Sequence, residues 1–256
     1  MSYIQSLFPI TAKKELAPGI FDYTVYCPPI ASQAAAGQFV HIRVDGFTLR
    51  RPISLCQIDR QRQTIRLVFE VRGGGTQEMS HLSVGDSMDI LGPLGNGFPL
   101  LSPENKVIVV GGGIGVPPMV ETAAHYGKNA TAIIGFRNSQ AVILKSDFES
   151  LGCDTRLATD DGSAGYHGFV SGLLKERLEQ GPADLICACG PMPMLKSVVS
   201  IAQQANVPTK VSLEERMGCG VGACLVCACR TVRDGKEIFT HVCKDGPVFD
   251  GDEVVF

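Results

Sequence analysis

Cys219, Cys224 and Cys227 form a C-x4-C-x2-C run, and Cys243 follows at a distance. No other feature of the 256-residue chain restricts its fold so tightly. Three thiolates on one short loop, with a fourth on the returning chain, match the plant-type [2Fe–2S] ligand spacing. Gly218, Gly220 and Gly222 let such a loop turn sharply and bring backbone N–H groups up to the sulfurs. Structural zinc modules instead pair cysteines as C-x2–4-C twice, so the spacing favours two irons over one zinc. Cys229 is left over. It reads as a small buried residue, with replacement of Cys227 as ligand the lesser alternative. His241 lies beside Cys243, but a Rieske centre needs two histidines, so His241 reads as a surface or packing residue. The tail from Val211 is too short for a core of its own, and a bound cluster would hold it together.

The other five of the ten cysteines are scattered, and a cysteine-rich end in a reducing compartment points to metal or redox chemistry. The net charge of −3 gives no basic face for nucleic acid. The longest apolar run, Val107 to Val120, is broken by glycines and prolines and does not suit a membrane span. The N-terminus MSYIQSLFPI lacks a basic region followed by an apolar one, so no signal peptide is expected and a cytoplasmic location is.

Up to about Leu101 the pattern is strand and turn. Ile65, Leu67, Phe69 and Val71 alternate with Arg66, Val68, Glu70 and Arg72, which is period two apart from Val68. Phe21–Cys27, Gln38–Val44 and Ser87–Leu91 are similar short runs, punctuated by glycine and proline with no long helix between them. Short strands in series predict an antiparallel barrel. Arg50-Arg51-Pro52-Ile53-Ser54 opens one strand. Arg51 can neutralise a diphosphate and Ser54 can hydrogen-bond a flavin ring edge, although alone both would read as surface residues. Gly73-Gly74-Gly75-Thr76 offers a second nest of N–H groups to the same diphosphate.

From Asn105 strands and helices alternate, which predicts a parallel sheet covered on both faces. Expected strands are Lys106–Val110, Ala130–Gly135, Arg156–Thr159 and Leu185–Ala188, and expected helices are Ser171–Glu179 and Met194–Gln204. Gly111-Gly112-Gly113-Ile114-Gly115 lies between a strand and a helix opened by Pro117, the context of a dinucleotide-binding turn. A tight turn with no ligand would also use glycine. Cys189-Gly190-Pro191-Met192 closes a later strand, where ligands of such sheets sit; alone, Cys189 would read as a small buried residue. Asp160 and Asp161 follow another strand and either accept from ribose hydroxyls or form a polar turn.

In this order R-P-I-S, G-x-G-T, G-G-G-I-G-x-P-P, C-G-P-M and the cysteine loop resemble the ferredoxin-reductase superfamily. More narrowly the chain resembles the electron-transfer subunits of class B dihydroorotate dehydrogenases, most specifically in Glu214-Glu215-Arg216-Met217-Gly218-Cys219. The resemblance covers nearly the whole chain. It implies an FAD-binding β-barrel over residues 1–101, a doubly wound parallel-sheet nicotinamide domain over 102–210 and a small [2Fe–2S] module over 211–256. It also implies FAD contacts at Arg51, Pro52, Ile53, Ser54, Val68, Phe69, Gly75 and Thr76. Gly112, Gly113 and Cys189 would lie near NADH, and Cys219, Cys224, Cys227 and Cys243 would ligate the cluster. Where the family pattern is Leu-Tyr-Arg, this chain reads Val68-Phe69-Glu70.

The resemblance further implies a partner, an FMN-containing dihydroorotate dehydrogenase catalytic subunit, in a heterotetramer of two copies of each chain. A hydride carries two electrons and an iron–sulfur cluster accepts one at a time, so a flavin must stand between them. Two other readings are a related sulfide dehydrogenase or ferredoxin:NADP oxidoreductase subunit, and a zinc-stabilised flavin-binding module. Those related subunits often carry aspartate at the first ligand position, where this chain has Cys219. NADH is expected over NADPH because no arginine cluster for a 2′-phosphate is evident, although Arg137 follows a strand end.

Overall fold

The computed structural model describes residues 3–256. The first part is a closed six-stranded barrel in the order β1-β2-β5-β4-β3-β6. Its strands are β1 (Ile4–Ala17), β2 (Ile20–Tyr26), β3 (Phe39–Arg43), β4 (Arg51–Asp59), β5 (Thr64–Glu70) and β6 (Ser87–Leu94). All the pairings are antiparallel. Closure removes sheet edges and encloses a core that includes Ile65, Leu67 and Phe69. The β5 alternation therefore does what its period predicts. Val68, the apolar residue out of phase, points the other way and packs in the core of the second domain.

Two short helices interrupt the barrel, α1 (Pro28–Ala31) and α2 (Gly74–His81). The glycine triplet before Thr76 thus starts a helix and is not simply a turn. Gly73 is the cap. Thr76 Oγ1 accepts from the N–H groups of Arg72 and Gly73 at 2.9 and 3.2 Å and donates to the Gly73 carbonyl at 3.0 Å.

The second part is built on a seven-stranded sheet of order β10-β9-β8-β7-β11-β12-β15. Its first strands are β7 (Val107–Gly112), β8 (Ala130–Phe136), β9 (Asp154–Thr159), β10 (Tyr166–His167), β11 (Leu185–Cys189) and β12 (Thr209–Ser212), all parallel to one another. Helices α3 (Pro117–Tyr126) and α4 (Lys145–Ser150) contribute to the core of one face. α5 (Val170–Glu179) and α6 (Met192–Gln204) contribute to the other. Strands β7, β8, β9, β11 and β12 follow a doubly wound order, with the direction of travel reversing between β7 and β11.

The cysteine-rich tail is not self-contained. Its hairpin β13 (Ala228–Arg233) and β14 (Lys236–His241) forms a separate two-stranded sheet. The chain then returns as β15 (Val248–Asp250), antiparallel to β12 at the edge of the large sheet. Cys227, Val242, Cys243 and Phe249 share one apolar core with Ile108 and Val110 of β7. The sequence led to the expectation that a bound cluster would hold the tail together; sheet pairing and a shared core hold it as well.

Candidate functional site

Three constellations line the junction of these parts. The first is on the barrel. Arg51 begins β4, and its guanidinium lies against Gly75 so closely that any side chain there would run into it. The same guanidinium sits 5.0 Å from the centre of the Phe47 ring. The first turn of α2 has N–H groups without helical partners, so Arg51 and this turn together form a cradle for an anion. Pro52 is exposed, Ser54 is half-buried and Ile53 is buried beside them. The Phe69 ring packs in the barrel core at 5.3 Å from Tyr23 and 6.0 Å from Phe21. Only its backbone is left to face a ligand, and the Thr76 hydroxyl is likewise committed to capping α2. Glu70 accepts from Arg72 Nε at 2.6 Å, and both line the adjoining cleft. The positive charge absent at position 70 is supplied two residues later.

The second constellation is that cleft, about 860 Å³ in volume, at the carboxyl ends of the parallel strands where their order reverses. Gly112 and Gly113 form one wall, and Gly190 and Pro191 face them across the β7–β11 junction. A side chain on Gly112 would meet Met194 Sδ at 2.5 Å, so the small residue keeps this junction open. Cys189 lies just behind, buried in the core, and burial raises its thiol to about 12. The paired aspartates divide their roles. Asp160 lines the cleft, whereas Asp161 accepts from the backbone and hydroxyl of Ser163 and makes a polar turn. Arg137 lines the cleft as well. So does Glu214, which the sequence marks only as the first residue of the motif that leads into the cysteine loop, although its place just after β12 is where sheets of this kind put functional groups.

The third constellation is the cysteine loop. The N–H groups of Val221, Ala223 and Cys224 donate to Cys219 Sγ at 3.4, 3.2 and 3.4 Å. Cys219 N donates to Cys224 Sγ at 3.3 Å, Gly222 N to Cys243 Sγ at 3.1 Å and Cys243 N to Cys227 Sγ at 3.4 Å. The sulfurs are thereby tied two by two, Cys219 with Cys224 and Cys227 with Cys243. Burial works against a thiolate at Cys219, but its N–H donors outweigh burial and bring the thiol down to about 6. Among the described residues, no three His, Cys, Asp or Glu side chains gather as a single metal ion requires. Two irons require two thiolates each, and four cysteines tied in pairs fit that demand. Gly220 and Gly222 have φ of +75° and +82°, where glycine is favoured. The spare Cys229 is buried in the hairpin with its Sγ 3.2 Å from Thr240 Oγ1. His241 is half-buried, with Nδ1 3.7 Å from Asp245.

The loop rests on the barrel through His41 of β3, which is fully buried. Burial, aided by the charges of Arg50 and Arg51, lowers its pKa to about 4, so the ring is neutral near pH 7. A neutral imidazole without partners costs about 1–3 kcal/mol for each unsatisfied group. Neither ring nitrogen of His41 has a hydrogen-bond partner among the described residues.

Residues 214–255 match the model of the iron–sulfur cluster binding domain of dihydroorotate dehydrogenase B. Over 259 residues the chain is 40% identical to the dihydroorotate dehydrogenase B (NAD(+)) electron transfer subunit of Geobacillus sp. strain WCH70, covering 98% of each chain. The subunit of the same name from Enterococcus faecalis is 39% identical over 262 residues, again with 98% of each chain covered. The chain belongs to the dihydroorotate dehydrogenase B electron transfer subunit family. Its fold also matches a solved structure of an NADH-dependent reduced ferredoxin-NADP oxidoreductase, studied for flavin-based electron bifurcation. That match has a TM-score of 0.86 and 31% identity over 98% of this chain and 90% of the other. A ferredoxin reductase of carbazole 1,9a-dioxygenase, at 18% identity, 81% and 68% coverage and a TM-score of 0.69, shares the fold.

Proposed function

We propose that this electron transfer subunit accepts a hydride from NADH in the cleft and passes the electrons onward to a catalytic partner. The recipient is an FMN-containing dihydroorotate dehydrogenase catalytic subunit, in a heterotetramer of two copies of each chain in the cytoplasm. Bound FAD would supply the conversion between two-electron and one-electron transfer. Arg51 and the first turn of α2 would hold its diphosphate, while Pro52, Ile53, Ser54 and the backbone of Val68 and Phe69 would border the flavin. Gly112 and Gly113 would admit the nicotinamide cofactor, with Cys189 packed just behind them and Asp160 available to a ribose hydroxyl. Cys219, Cys224, Cys227 and Cys243 would ligate the [2Fe–2S] cluster. No side chain is required as acid or base for hydride transfer, so the chain's task is placement.

The observation that carries this reading is the contact between Gly220, next to the ligand Cys219, and His41 on the barrel. It sets the cysteine loop against the same β-sheet that presents Arg51 and Ser54. Cys224 is exposed and is followed by Leu225 and Val226, which are 61% and 55% exposed. An apolar rim beside an exposed ligand suits delivery of electrons to a second protein. The test is to co-express the chain with the catalytic subunit and assay NADH-dependent orotate reduction, alongside the visible spectrum before and after dithionite. A ferredoxin-like spectrum that bleaches, together with orotate reduction, is expected. A colourless protein with stoichiometric zinc would overturn the relay, and absence of orotate reduction by a coloured complex would overturn the choice of partner.

A further inference from the structure

His41 occupies an unusual position. Its ladder neighbours are Pro52 of β4 and Leu91 of β6, so it is a barrel residue at the Arg51–Ser54 strand. Its ring leaves the barrel wall and meets the cysteine loop. A Cβ placed on Gly220 would stand 2.6 Å from His41 Nδ1 and 3.3 Å from its Cγ and Cε1. The residue is 0% exposed and, among the described residues, neither ring nitrogen has a hydrogen-bond partner. The carbonyls of Cys219 and Arg50 face it, yet neither meets hydrogen-bonding geometry.

An apolar residue would fill this space without leaving polar atoms unsatisfied, and buried polar atoms in native proteins nearly always find a partner. A neutral imidazole has one N–H to give. Nδ1 is the nitrogen against Gly220, and Cys219 contributes the carbonyl of that peptide. A small closure of the loop would bring the two into hydrogen-bond geometry.

We propose that His41 is a positioning residue for electron transfer, donating its Nδ1–H to the Cys219 carbonyl when the loop closes on its cluster. This bond fixes the Cys219–Gly220 peptide against the flavin-side strand. It keeps Cys219 Sγ under its three N–H donors, which stabilise the additional negative charge of a reduced cluster. Each transfer moves one electron from reduced FAD to the oxidised cluster, the electrons having come from the hydride of NADH. His41 itself is neither oxidised nor reduced. The inference rests on the functional reading above and adds to it the residue that couples barrel and cluster.

The test uses the holo protein with His41→Phe, which keeps a ring and removes the donor, and His41→Gln, whose amide can still donate. The readouts are the cluster midpoint potential from an EPR-monitored titration and the rate of cluster bleaching after mixing with NADH. His41→Phe should shift the midpoint to lower potential and slow bleaching about tenfold, the factor that one hydrogen bond's free energy gives. His41→Gln should recover most of both. If His41→Phe does not accumulate with FAD bound, the smaller His41→Leu carries the same test. Unchanged potential and rate in the apolar variant would overturn the proposal. Impairment of His41→Gln equal to that of the apolar variant would also overturn it, because packing alone would then explain the effect. Absence of flavin and cluster signals from the unmodified protein would instead remove the functional reading on which this one stands.

Discussion

Asn96, just beyond the last barrel strand, donates its side-chain amide to the carbonyl of Lys244 at 3.0 Å, one residue past Cys243. The same nitrogen reaches the Asp245 carbonyl at 3.1 Å, and Asn96 N donates to the Gly246 carbonyl at 2.7 Å. The segment that carries the fourth cysteine is thus fastened to the barrel by three hydrogen bonds from one residue. Asn96→Ala removes two of them and leaves two carbonyls to find water. The expected loss of stability is about 1–3 kcal/mol. The cluster should also be lost faster to a chelator, followed by the decay of visible absorbance. Thermal unfolding and chelation kinetics identical to those of the unmodified protein would show that the shared core alone holds the tail.

The two cysteines of the hairpin region should separate cleanly by spectroscopy. Cys243→Ser removes a sulfur that receives an N–H from the loop, and the protein should lose its ferredoxin-like spectrum and its electron delivery to the partner. Cys229→Ser replaces a sulfur that faces Thr240 and retains a hydroxyl to meet it. That variant should keep cluster and delivery, with a stability change of about 1 kcal/mol. A spectrum lost in Cys229→Ser and retained in Cys243→Ser would exchange their assignments.

The barrel cradle makes a prediction about FAD. Arg51→Ala removes the charged side chain packed on Gly75. A charge-assisted bond to a diphosphate is worth about 1.5–3 kcal/mol, so the FAD dissociation constant should rise about ten- to hundredfold. Titrating apoprotein with FAD and following flavin fluorescence measures this directly. An unchanged constant would move the diphosphate away from α2.

Much of this architecture was legible because its causes are local. The β7 run is apolar throughout and ends in glycine, which is what a strand buried on both faces and followed by a close-approach turn must look like. The cysteine spacing is legible for the same reason, since three ligands lie on one loop. The β13–β14 hairpin was missed although its Asp234-Gly235 turn, with φ of 52° and 72°, is a local signal of a type I′ hairpin. β1 escaped because its exposed face and two lysines obscure any alternation. The return of β15 to the large sheet could not be read, because pairing between Val211 and Phe249 depends on where the intervening chain folds. His41 is invisible for a similar reason. A lone histidine in a short strand carries no pattern, and what marks it is burial against a loop far along the chain.

Glu121 supplies a prediction about pH. It lies on α3 and its Oε2 accepts from the backbone N–H of Ile58 on β4 at 2.9 Å, so it ties the α/β domain to the barrel. Burial raises its pKa above the ordinary 4.5, with the Ile58 N–H and the Arg60 charge opposing that rise and Asp59 adding to it. The folded state therefore holds this proton more tightly than the unfolded chain does. Stability from this group is fully present below about pH 4.5 and is lost as pH rises through the folded value, because ionising the folded carboxyl is the costlier step. Glu121→Gln removes the charge and keeps an oxygen for the Ile58 N–H. It should be more stable than the unmodified protein near neutral pH, with the difference shrinking as pH falls towards 4.5. Urea unfolding over this range measures the difference. A glutamine variant that is less stable near neutral pH would mean that attraction to Arg60 outweighs the desolvation of the carboxylate.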